Sequence, residues 1–152
     1  MDHGKRAEAL FRQGYNCSQS VLLAFGDVTG LDEKTAAMLS SSFGGGLGRM
    51  REVCGAVSGA CMVLGLTKGY ANPDDRQAKT DHYHLIQEFA RRFREKNGSI
   101  ICRELLRGCG TKEGSDPEAR TAEYYRKRPC PELCRTAAQI ADEILNEIAA
   151  EE

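Results

Sequence analysis

Long apolar runs are missing from this chain of 152 residues, and none approaches the roughly 20 residues that a membrane-spanning helix needs. The opening MDHGKRAEALFRQG also lacks the apolar centre of a signal peptide. We therefore read a soluble cytoplasmic protein with no membrane insertion. Charge of one sign is not in excess either, with 21 basic against 22 acidic residues. Nothing draws the whole molecule toward nucleic acid. The segment ARRFREK reads as a solvated helix face with Phe93 turned inward, and YYRKR as a loop patch. Neither has the basic concentration of a nucleic-acid site. Alternating β-branched runs are absent, which leaves little room for sheet. Repeats, low-complexity tracts and linkers are absent too, so residues 1–152 read as a single domain.

What fills the chain is helix-forming residues. A first helix is expected over Gly4 to Gln13, stopped by Gly14. A second starts after Asn16, a good N-cap, and carries CSQSVLLAF. A third begins at Asp32 and ends in Gly44-Gly45-Gly46, and a fourth runs from about Cys54 to Leu66. For the fifth, Asn72 caps and Pro73 takes the first helical position, with the end near Lys96 before Asn97-Gly98. A short helix holds ICRELLRG. Cys109 to Arg128 is a polar connection with a turn of helix around Pro117 to Tyr125. The last helix opens at Pro131 and reaches about Ala150. The fold class is all-α, a bundle of about five to seven helices.

The stretch FGGGLGRMREVCGAVSGAC, Phe43 to Cys61, suggests a phosphate loop at first sight. No Lys-Ser or Lys-Thr follows the glycines, and no strand precedes them, so neither a P-loop nor a dinucleotide fingerprint is met. The glycines are expected to end one helix and bend the chain into the next. Gly55 and Gly59 share one side of the fourth helix and offer a strip for close helix packing.

Seven cysteines remain to be explained: Cys17, Cys54, Cys61, Cys102, Cys109, Cys130 and Cys134. In a reducing compartment they point to thiol chemistry or metal binding rather than to structural disulfides. No C-x-x-C occurs, which removes thioredoxin-type and zinc-finger half-sites, and no C-x-x-C-H is present for an attached haem. Cys17, Cys54, Cys102 and Cys130 each fall near an expected helix start and on an apolar side, with Cys130 at an N-cap position. Unpaired N–H groups at a helix start favour a thiolate, so Cys54 in particular is expected to ionise easily, helped by Arg49 and Arg51. If the four starts converge, they form an electropositive pocket lined by sulfur. Cys61, Cys109 and Cys134 read singly as small buried hydrophobes, although Cys134 lies one turn from Cys130 and could resolve a disulfide there. His82 falls on the core side as a satisfied histidine, His84 on the wet side, and His3 in a disordered terminus.

GYNCSQSV around Cys17, CGAVSG from Cys54, CRELL at Cys102 and CPELCRTAAQIADEIL from Cys130 resemble the C_GCAxxG_C_C family, named after its cysteine pattern. The resemblance implies a small helical domain with a redox role. It maps the four family cysteines to Cys17, Cys54, Cys102 and Cys130, with Cys134 at an ordinary apolar position and Cys61 and Cys109 as extras. Selenocysteine in some relatives implies nucleophilic redox chemistry. A similar domain in split-Soret cytochrome c, where an iron–sulfur cluster is present, implies a cluster instead.

Two expectations follow. In the first, a thiol-dependent oxidoreductase attacks through Cys54, and Cys17, Cys102 or Cys130 closes the disulfide with an unidentified redox partner protein. In the second, the same four cysteines ligate a metal or an iron–sulfur cluster, with a two-iron cluster suiting long scattered spacings better than zinc. A helical interaction module with purely structural cysteines is the third reading. A homodimer through a spare apolar face is an expected assembly.

Overall fold

The computed structural model describes residues 1–152 and is all-α. Its helices are α1 (His3–Arg12), α2 (Cys17–Ala24), α3 (Gly26–Thr29), α4 (Glu33–Ser40), α5 (Gly55–Lys68), α6 (Arg76–Asn97), α7 (Cys102–Leu105), α8 (Ala122–Lys127) and α9 (Cys130–Glu151). A single 3₁₀ turn, Ser41–Phe43, extends α4. Of these nine helices, six have eight residues or more, and α3, α7 and α8 are only four to six residues long.

The apolar residues of α9 recur at helical spacing, and so one side of that helix is buried along its length. Leu133, Cys134, Ala137, Ile140, Ala141 and Ile144 form that side. It packs against α1, α2, α5 and α6 and anchors a core cluster of 26 buried residues. Helix α5 meets the 3₁₀ turn and α2 through the expected glycine strip. A Cβ on Gly55 would lie 2.8 Å from the Phe43 carbonyl, and one on Gly59 would lie 2.7 Å from the Ser18 carbonyl. Only glycine permits this approach of two backbones.

Several local expectations need correction. Helix α6 starts at Arg76, capped by Asp75, whose side chain accepts from Ala78 N–H at 3.0 Å. Asn72 instead closes a turn by accepting from Asp74 N–H, so Pro73 opens that turn and not the helix. Cys130 is the first residue of α9 and Pro129 its N-cap. The YYRKR patch is not a loop, since Tyr124 to Lys127 belong to α8 and Arg128 is buried.

The histidines differ as well. His3 is buried, stacks on Phe25, and places Nδ1 2.8 Å from Asp142 and Nε2 2.9 Å from Asp27. A disordered terminus is therefore wrong for this residue, because Asp2 caps α1 and the imidazole joins α1, α3 and α9. His82 is partly buried, but its Nδ1 is buried without a hydrogen-bond partner, so it is not satisfied. His84 is exposed as expected.

Candidate functional site

The start of α2 is fixed by a reciprocal cap. Asn16 accepts from Gln19 N–H at 2.9 Å, and Gln19 accepts from Asn16 N–H at 3.1 Å. Asn16 also donates to the Ser41 carbonyl and Gln19 to the Ala37 carbonyl, tying this start to the end of α4. Cys17 is thereby held at the first position of α2.

Cys54 and Cys102 are positioned by contacts that spacing alone does not reveal. Val53 and Ile101 form an antiparallel bridge; Cys54 N–H donates to the Ile100 carbonyl at 2.7 Å, and Cys102 N–H to the Glu52 carbonyl at 2.6 Å. Both cysteines lie one residue from the bridge and so share one face of the ribbon. Cys54 is the N-cap of α5, and Cys102 opens α7.

The glycine-rich loop belongs to the same site. Of the seven residues from Gly45 to Arg51, all but Met50 have positive φ, including Leu47, Arg49 and Arg51. Held left-handed, the loop packs against α7: a Cβ on Gly46, at φ +72°, would lie 2.7 Å from Cys102 Cβ. The glycines thus serve the cysteines and carry Arg49 and Arg51 to them.

Cys17, Cys54, Cys102 and Cys130 line one cavity of about 410 Å³. The four expected residues are brought together. Cys134 joins them from behind, with its Sγ 3.8 Å from the Cys17 carbonyl, so its position is not merely apolar. The Cys130 and Cys134 thiols both bear on the ionisation of Cys17. Cys61 and Cys109 lie outside this cavity. All seven cysteines are free thiols.

The thiols resist ionisation. Burial pushes Cys54 up to about 12, against the pull of the Val57 and Ala56 N–H groups. The expected easy ionisation of Cys54 is therefore corrected: the helix start is present, but desolvation outweighs it. For Cys17 the Cys130 thiol lowers the value, yet the Cys134 thiol and burial carry it well above the ordinary thiol range. Cys130 is raised by the neighbouring Cys17 thiol and by burial. Cys102 is also raised by burial, but the Arg51 guanidinium, with Nη1 3.8 Å from Sγ, works in the opposite direction.

Four arginines, Arg49, Arg51, Arg120 and Arg128, line the cavity against one carboxylate, Glu118. Arg120 spends its donors on the Phe11 and Tyr15 carbonyls and stacks on Phe11. Glu118 and Arg128 came from a segment that reads only as a polar connection, and no sequence signal singled them out.

A family model described as "Putative redox-active protein (C_GCAxxG_C_C)" matches residues 15–144. The chain belongs to this family. The C_GCAxxG_C_C match spans all four cavity cysteines and both ends of the ribbon that joins Cys54 to Cys102. No curated protein and no solved structure matches the chain. None of its helices is long and apolar enough to cross a membrane.

Proposed function

We propose that this chain is a thiol–disulfide redox protein in which the cavity cysteines form one centre, with Cys17 and Cys130 as the pair that closes. The support for this pair is that Cys17 and Cys130, the first residues of two separate helices, line the same cavity, and that each is the strongest single influence on the other's ionisation. Cys130 and Cys134 are a poorer pair, because residues one turn apart on a helix have Cβ atoms about 5–6 Å apart, beyond the usual disulfide span. Cys54 and Cys102 lie diagonally across the ribbon, about 7–8 Å apart by its geometry.

Cys102 is the entry thiol, since Arg51 favours its thiolate. Its thiolate attacks a substrate disulfide, forms a mixed disulfide and expels one substrate thiolate. Cys54, whose sulfur responds to charge on both Cys102 and Cys130, attacks the substrate sulfur of that mixed disulfide and frees Cys102; Cys130 then attacks the Cys54 sulfur and expels the second substrate thiolate, and Cys17 attacks Cys130 and frees Cys54. The centre ends as a Cys17–Cys130 disulfide, and the substrate leaves as two thiols. Two electrons and two protons pass from protein to substrate, and a partner dithiol reverses the reaction.

Thiol counting tests this reading. Equilibration with an oxidising disulfide buffer should remove two thiols per chain reversibly, and Cys17→Ser or Cys130→Ser should abolish the change. Thiol numbers that never fall would contradict it. An iron–sulfur cluster is the second reading, favoured by four thiols facing one cavity beside arginines that would balance an anionic cluster. Cys17, Cys54, Cys102 and Cys130 would hold it, and it would supply one-electron transfer. No three donor side chains are grouped closely enough to hold a single ion, which bears on a lone metal and not on a cluster that takes two thiolates per iron. Anaerobic purification with a visible spectrum and iron and zinc analysis distinguishes it, since a colourless, metal-free protein counts against it.

A further inference from the structure

Three guanidinium groups converge on one oxygen of Glu118. Arg49 Nη2 is 3.5 Å from Oε2, Arg51 Nη2 is 3.7 Å from it, and Arg128 Nη2 is bonded to it directly. Only Arg128 hydrogen-bonds to Glu118; the other two are paired with it at longer range. Arg49 is also held by the Lys112, Gly114 and Asp116 carbonyls, and Arg128 rests over the Tyr124 ring. Arg51 is the one left over. Its Nη2 is buried without a hydrogen-bond partner, its side chain is 11% exposed, and its Nη1 reaches only the Cys102 sulfur. A buried, unpaired guanidinium N–H is costly and calls for an acceptor.

We infer that this corner of the cavity is a binding site for a carboxylate or similar oxyanion on the substrate, and that Glu118 stands where that anion docks. The cavity volume of about 410 Å³ suits a small molecule. An anion there would displace the Glu118 carboxylate, bridge Arg51 and Arg128, and give Arg51 the acceptor it lacks. Because Arg51 also touches Cys102, the anchored molecule would present its neighbouring atoms to that thiol. Taken with the redox reading, the substrate class is a small disulfide bearing a carboxylate; the anion site itself does not depend on that reading.

Two sets of measurements separate the two ideas. The first uses adipate, a dicarboxylate without sulfur. Calorimetric titration should show binding to the wild type, tighter binding to Glu118→Gln, and binding weakened about tenfold by Arg51→Gln, the factor one charge-assisted hydrogen bond supplies. The second compares oxidation of the reduced wild type by dithiodipropionate, hydroxyethyl disulfide and cystamine, which are anionic, neutral and cationic. The anionic disulfide should react about tenfold faster than the neutral one, and cystamine slowest. Because removing Glu118 strips a buried arginine of its carboxylate, the wild-type measurements suffice on their own. Adipate binding without any disulfide exchange would uphold the anion site and sink the redox reading. Exchange at equal rates with all three disulfides, with no adipate binding, would overturn the anion site and leave the redox reading standing.

Discussion

At Cys54 two effects oppose each other. The helix start offers N–H groups to a thiolate, while burial to 3% exposure removes the water that would solvate it. Burial wins, which pushes the thiol from its ordinary 9.0 up to about 12. The sign for stability follows directly: the folded state holds its protons more tightly, so the contribution is complete below pH 9.0 and is lost as pH rises toward about 12. Urea unfolding under reducing conditions should therefore show lower stability at pH 10 than at pH 8, by about 1 kcal/mol for each thiol that stays protonated in the fold. The loss should be smaller in Cys54→Ala. Glu118 behaves oppositely. Burial raises it, but the Arg128 hydrogen bond and the charges of Arg128, Arg49 and Arg51 hold it below its ordinary 4.5. Its contribution is present above that value and lost as pH falls through the folded one. Glu118→Ala should cost about 3 kcal/mol at neutral pH, because it leaves Arg128 buried and unpaired. An unchanged urea midpoint would show that Arg128 finds water instead.

Helix α5 separates two kinds of glycine. Gly55 and Gly59 face α2 so closely that an added methyl group would strike backbone, which cannot yield. Gly65 on the same helix has nothing within 4 Å of an added Cβ. Gly59→Ala should destabilise the protein by about 1–3 kcal/mol through overpacking. Gly65→Ala should stabilise it by about 0.5–1 kcal/mol through helix propensity. Thermal melts of the two variants moving in the same direction would refute the packing argument. This strip was legible from four-residue spacing, as were the Asn16 cap and the Gly98 stop, since each is a local signal. The Asn72 cap was misjudged because two capping residues stand in series and the nearer one, Asp75, took the helix. The Val53–Ile101 bridge was not legible, because its partners are far apart in sequence and too short to show alternation.

Across the whole molecule, long-range polar contacts do what short-range patterns could not announce. His3 fastens the first helix to Asp142 in the middle of the last, and His3→Ala should cost about 2 kcal/mol in urea unfolding, the worth of hydrogen bonds to charged groups. That Cys17, Cys54, Cys102 and Cys130 fall at or beside helix starts was legible from local signals, whereas their meeting in one cavity is supplied by the fold. Glu118 and Arg128 were not, since charged residues in a connecting segment usually face water, and only the fold turns these two inward. Cys134 was obscured by its fit to an apolar stripe, which thiols also satisfy. The account's centre is the pairing of Cys17 with Cys130 across α2 and α9. Peptide mapping of the oxidised, unreduced protein tests it most directly: a reversible Cys17–Cys130 crosslink is predicted, and oxidation that leaves both residues as free thiols would contradict it.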